Sequence, residues 1–299
     1  MYKKINKFLK KIYPYPYSYL SKKISKRLGK KNATREQINN LTDIILDQQF
    51  KTLRTLHVNP INKFGKKCFS QTDEDGITLE ILKRINNIEN GVFIELGVGD
   101  GTETNTLVLA SLGWSGIWID GKDLRMDTAK SKKFTFLKEW IDLDNVTSLI
   151  RKGLNKINKT DQNIDVISID LDGNDIYFVE KILKENLKPK LFIVEYNGKF
   201  FPPLKFQIDY NSKHVWQGTD YFGASLKSFW DLFSKYGYRL VCCNLATGSN
   251  AFFIDNTFSK NFSDVPTEID KIYIEPRYYT IKKYAHKPDI KTINKILKD

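Results

Sequence analysis

The sequence predicts an α/β fold: a Rossmann-like, seven-stranded, mostly parallel sheet with its last strand antiparallel and helices on both faces. Two observations carry this expectation. From residue 91 onward, short apolar runs alternate with helical periodicity, and strands that alternate with helices build a parallel sheet covered on both sides. Near residue 250, "LATGSN" turns the chain back on itself, which sets the final strand against its neighbour. With 299 residues, of which 41% are hydrophobic, one large core with appendages is expected.

The chain opens with a basic arm, residues 1–31, "MYKKINKFLKKIYPYPYSYLSKKISKRLGKK". It holds eleven Lys or Arg and no acid, so of a formal net charge of +13 only +2 belongs to the other 268 residues. Ile5, Phe8, Leu9 and Ile12 recur at helical spacing among the lysines, and "YPYPYSYL" adds four tyrosines. Three readings stay open: a helix lying on an anionic membrane surface, a solvated arm, and a nucleic-acid contact, against which the body shows no matching basic stripe.

Residues 32–86 form a helical cap region. Thr34 is expected to cap a helix over 34–58, with Ile38, Leu41, Ile44, Ile45 and Phe50 on its apolar face. Asp73, Glu74 and Asp75 then precede a second helix, where acids favour the N-terminus. The core spans 87–260. Its strands are expected at Val92–Leu96, Gly116–Ile119, Phe134–Leu137, Val166–Ile169, Leu191–Val194, Tyr238–Cys243 and Ala251–Ile254. Its helices are expected at Thr104–Leu112, after a cap near Asp144, at Ile176–Asn186 and at Leu226–Tyr236. Residues 261–299 make a C-terminal extension.

Between the first strand and its helix, "FIELGVGDGTETNT" spaces Glu95, Gly97, Gly99 and Gly101 two residues apart. Glycines there let a backbone turn tightly and approach a ligand. Asp120 ends the next strand, where a carboxylate accepts both hydroxyls of a ribose. Thr102 stands where a dinucleotide fingerprint has its third glycine, and no P-loop occurs. Glu95 would repel a pyrophosphate but accepts from an ammonium, so S-adenosylmethionine (SAM), which lacks phosphate, suits the loop best.

These segments, with "SQTDEDG", "IWIDG", "VISIDLDGND", "IVEYN", "YFGASL" and "NAFFI", resemble the class I SAM-dependent methyltransferases. Within them they look like the FkbM-like branch and related enzymes of bacterial surface-polysaccharide clusters, over about Phe69 to Ile254. The resemblance implies that Glu95, Gly97 and Gly99 line the cofactor, that Asp120 holds its ribose, and that Gln71 and Asp75 close the pocket. Where such proteins typically read "KIDVEG", this chain reads "SIDLDG".

Asp170 and Asp172 end one strand; Glu195 and Asn197 end the next. Four oxygen donors on adjacent strand ends suit Mg²⁺ or Mn²⁺, and such a metal, or a base, is what a sugar hydroxyl needs before it attacks. Asp170 and Glu195 are therefore candidate catalytic groups. The rival reading puts Asp170 on the methionine amino group, Asp172 on a loop amide and Asp175 at a helix cap. His214, in "YNSKHVWQGTDYFGASL", is the histidine best placed to serve as a base near neutral pH.

The expected activity is O-methylation of a sugar hydroxyl on a cell-surface glycan, capsule or lipopolysaccharide, or on its nucleotide- or lipid-linked precursor; this substrate class comes from the resemblance. An RNA or protein methyltransferase and a non-catalytic cofactor-binding scaffold are the alternatives. Cys68, Cys242 and Cys243 make no disulfide framework or metal spacing, and no apolar run approaches 18 residues. A cytoplasmic location, peripheral to the inner membrane face through residues 1–31, is the expectation.

Overall fold

A computed structural model describes residues 31–126, 131 and 133–278. Residues 1–30 of the basic arm and 279–299 of the C-terminal extension lie outside the described residues. The described chain divides between residues 53 and 54 into two compact units. Helix α1, Lys31–Leu56, starts ahead of Thr34, so the threonine sits inside the helix and is not its cap. Leu41, Ile44 and Ile45 are exposed on it.

In the second unit a short 3₁₀ turn, Pro60–Phe64, leads to α2, Glu74–Arg84. The sheet follows: β1 (Val92–Leu96), α3 (Leu107–Ser111), β2 (Ser115–Asp120), β3 (Phe134–Lys138), α4 (Val146–Lys156), β4 (Val166–Ile169), α5 (Asp175–Lys184), β5 (Leu191–Glu195), α6 (Leu226–Lys235), β6 (Tyr238–Cys243) and β7 (Asn250–Asp255). A short helix, α7 (Ile269–Ile272), closes the described chain. Every strand falls within one residue of its expected bounds; β1, β4 and β5 are Val/Ile/Phe-rich runs buried almost throughout, whereas the edge strand β3 is mostly half-buried.

The seven strands lie in the order β3-β2-β1-β4-β5-β7-β6. All neighbours are parallel except β7, which runs antiparallel to both β5 and β6. The chain moves outward from β1 through β2 to β3, then restarts at β4 and moves the other way. Right-handed crossovers in opposite directions put helices on opposite faces. They also open a crevice where the direction reverses, outside the carboxyl ends of β1 and β4, and ligands bind open α/β sheets there. The ends of β1 and β4 carry the glycine loop and Asp170.

Helix α3 is shorter than expected at its N-terminal end. Glu95 accepts the backbone N–H groups of Asn105 and Thr106, at 2.8 and 3.1 Å, and this holds the preceding residues in a loop. The acids before α2 do more than favour its dipole. Asp73 accepts the amides of Leu245 and Ala246, and Glu74 accepts the side-chain amides of Asn244 and Asn250. They clamp α2 to the β6–β7 turn, and burial raises the affinity of both carboxyls for a proton. The described part of the C-terminal segment reaches the same β6–β7 turn, where the Arg277 amide donates to the Thr247 carbonyl, with Phe262, Ile272 and Ile274 buried and Tyr196 donating to the Ile274 carbonyl.

Candidate active site

The crevice is a cleft of about 500 Å³ lined by Gln71, Gly97, Gly99, Asp120, Asp170, Asp172, Glu195 and Ser249, with Trp140 and Trp216 at its sides. Its size suits a small-molecule cofactor. Seven residues expected from the sequence therefore meet in one place, from five separate segments.

The glycine loop is shaped by close contact. Gly97 has φ +87° and a β-carbon there would lie 1.8 Å from the Asp170 carbonyl oxygen, so β1 and β4 approach as only glycine permits. Gly99, φ +56°, donates its N–H to Asp120 Oδ2 at 2.7 Å, and Lys122 donates to Oδ1 at 2.7 Å. Asp120 thus stands at the end of β2 with each oxygen held by one amide. Each oxygen keeps a further lone pair for a ligand hydroxyl.

At the other side, Asp170, Asp172 and Glu195 present oxygens that all lie within 4.8 Å of one another. Asp170 and Glu195 hydrogen-bond carboxyl to carboxyl, and burial, then the neighbouring acids, raise both well above the usual carboxylate range. Like charges this close do not both ionise easily. Glu195 Oε2 is buried without a hydrogen-bond partner. Asp172 sits at φ +55°, left-handed backbone that turns its side chain toward the cleft. This donor set fits a hard divalent cation: three carboxylates, one with an unsatisfied buried oxygen. Asp175, the first residue of α5, accepts the amides of Leu171 and Gly173 at 2.8 and 2.9 Å and fixes the loop that carries Asp172; burial pushes it up to about 6.

Four expected site residues take other positions. Glu95 is buried away from the cleft surface, with both oxygens engaged by Asn105 and Thr106 amides and the Thr106 hydroxyl; burial pushes it up to about 7. Asp75 Oδ2 accepts the amides of Cys68, Phe69 and Ser70 at 2.6, 2.6 and 2.9 Å, so it holds the loop that presents Gln71 and does not itself line the cleft. Asn197 spends its side chain on the backbone, donating to the Asp220 and Phe222 carbonyls and accepting from Lys199, and is no part of the acid cluster. His214 lies on the far side of the Asp172 turn, its ring against Gly173, where a β-carbon would sit 2.3 Å from Cδ2.

Trp140, Trp216 and Ser249 were not anticipated. Trp140 follows β3 and donates Nε1–H to the Ser212 carbonyl at 2.7 Å, placing an indole beside Gly121 and Asp120. Its only sequence signal is an aromatic residue just after a strand end, in "LKEWIDLDN".

No protein-family model matches the chain, and no curated protein matches it. Among solved structures it is similar to a Lactococcus lactis protein named as a hemolysin, with 10% identity over 64% of this chain and 91% of that one, TM-score 0.39. It is also similar to magnesium protoporphyrin IX methyltransferase from Synechocystis PCC 6803. The SAM-bound form has 12% identity over 60% of this chain and 76% of that one, TM-score 0.35. The SAH-bound form has 12% identity over 75% of this chain and 99% of that one, TM-score 0.36. At these TM-scores the likenesses carry no weight for function.

Proposed function

We propose that this chain is a SAM-dependent O-methyltransferase acting on a sugar hydroxyl of a cell-surface glycan, capsule or lipopolysaccharide, or of its precursor. One observation carries the cofactor half of this reading: a cleft at the β1/β4 switch point with a glycine loop and a ribose-ready Asp120 at one end and an acid cluster at the other. Carboxylates repel a pyrophosphate but favour a sulfonium and an ammonium. The glycan half rests on the resemblance described above.

In the reaction the S–CH₃ bond breaks as an O–CH₃ bond forms, the hydroxyl proton leaves, and S-adenosylhomocysteine departs. The protein's task is to align donor and acceptor and to take the proton. Asp170 and Glu195, whose proton affinity is raised, are the stronger bases of the cluster. A divalent cation held by Asp170, Asp172 and Glu195 would lower the pKa of the hydroxyl. Residues 1–31 serve as a tether to an anionic membrane surface where lipid-linked precursors lie.

Incubation of the protein with methyl-labelled SAM and isolated nucleotide- or lipid-linked sugars tests this reading. Label in a base-stable methyl ether supports it; label recovered only in RNA or protein overturns the substrate class.

A further inference from the structure

A second cavity, of about 430 Å³, is lined by Asn211, Lys213, His214, Gln217, Thr219 and Tyr221, and meets the cleft at Val215, which lines both. It belongs to the long connection between β5 and α6, residues 196–225. That connection has its own small core, in which the Phe200 and Phe206 rings stack at 4.0 Å over Ile208. It is pinned to the rest of the unit at four points: Asn174 Nδ2 donates to the Asn211 carbonyl, Trp140 to Ser212, Tyr177 to Ile208, and the Leu143 amide to the Tyr210 hydroxyl. The cavity wall is therefore preorganised. One of its lining residues, His214, packs against Gly173 of the turn that carries Asp172.

We infer that this cavity is the acceptor site, and that it takes a polyhydroxylated ligand bearing one negatively charged group. The inference rests on, and deepens, the methyltransferase reading. The lining offers amide, hydroxyl and imidazole groups that both donate and accept, as a ring of hydroxyls requires. It contains one ammonium, Lys213, and no carboxylate. The acid cluster of the cleft contains three carboxylates. An acceptor spanning the two is oriented by this difference in charge: its anionic group turns to Lys213 and its neutral hydroxyl turns toward Asp170 and Asp172 across Val215. A single lysine is too little for a polyanion such as RNA.

Saturation-transfer NMR on the full chain tests this with methyl glucoside, methyl glucuronide and glucose 1-phosphate as probes, each measured with SAM present. The two anionic probes separate a carboxylate from a phosphate source. Lys213 and Gln217 are exposed, so their substitution leaves the fold intact, and calorimetry with SAM on each variant serves as the folding control. Wild type is expected to favour an anionic probe over the neutral one by about two- to fivefold, the worth of an exposed ion pair. Lys213→Met abolishes that preference while still binding the neutral sugar, and Gln217→Ala weakens all probes alike. An unchanged preference in Lys213→Met, or no saccharide signal in wild type, overturns the inference. Loss of SAM binding by wild type with saccharide signals retained would instead overturn the methyltransferase reading, so the two failures are distinguishable.

Discussion

Replacing Asp120 by alanine removes two acceptors from the rim of the cleft. Each oxygen already accepts one backbone amide, from Gly99 and from Lys122, and each has room for one ribose hydroxyl. A hydrogen bond to a charged acceptor is worth about 1.5–3 kcal/mol net. The ribose hydroxyls regain water in the open cleft of the variant, which returns part of that loss. The expected cost to SAM affinity is about 1–3 kcal/mol, or roughly 5- to 150-fold in Kd. Asp120→Asn keeps one oxygen and should fall between alanine and wild type. Calorimetry gives the affinities, and thermal melting shows whether each variant is folded. A folded Asp120→Ala protein with a Kd within about twofold of wild type refutes the placement of the ribose.

Gly97→Ala pushes a methyl group into the Asp170 carbonyl and forces left-handed backbone; the backbone alone costs about 1–2 kcal/mol, so melting should fall by at least about 3 °C with SAM binding lost, and wild-type melting would contradict the packing described. Asp172→Ala should abolish turnover while SAM affinity stays within about twofold, and EDTA should do the same to wild type; turnover indifferent to chelation removes the metal. Burial raises Glu95 to about 7, Asp175 to about 6, and Asp170 and Glu195 as well, so the folded state holds protons that the unfolded chain gives up above about pH 4. The stability these neutral forms contribute is complete below that pH and is lost as pH rises through the raised values; the ligand-free protein should melt higher at pH 5.5 than at 7.5, and the reverse order would refute the burial of these acids as a source of strain. Deleting residues 1–30 should abolish binding to liposomes rich in anionic lipid and spare methyl transfer to a soluble acceptor; a truncated protein that still binds the liposomes would end the tether reading.

The parts of the site that were legible in the sequence are those whose backbone demands leave marks. Gly97 and Gly99 are glycines because the turn and the approach of β4 require them, and Asp120 stands at a strand end that the Val/Ile pattern locates. Asp170, Asp172 and Glu195 were found together for the same reason: adjacent parallel strands align their carboxyl ends. What misled was the carboxylate that serves the backbone. Glu95 and Asp75 have the chemistry of cofactor ligands, yet loop amides five to eleven residues away claim them. Which amides return to which acid is set by loop closure, and no spacing encodes it. Asn197 failed for the same reason, being drawn to carbonyls more than twenty residues later. His214 and Trp140 depend on where long connections come to rest, which periodicity does not address.

The most direct test of the central claim is calorimetric titration of the full-length protein with SAM, with and without Mg²⁺. The account predicts one-to-one binding in both conditions, lost stepwise through Asp120→Asn and Asp120→Ala. No binding heat at any SAM concentration, from protein that melts cooperatively, would contradict it and return the cleft to an unassigned cofactor.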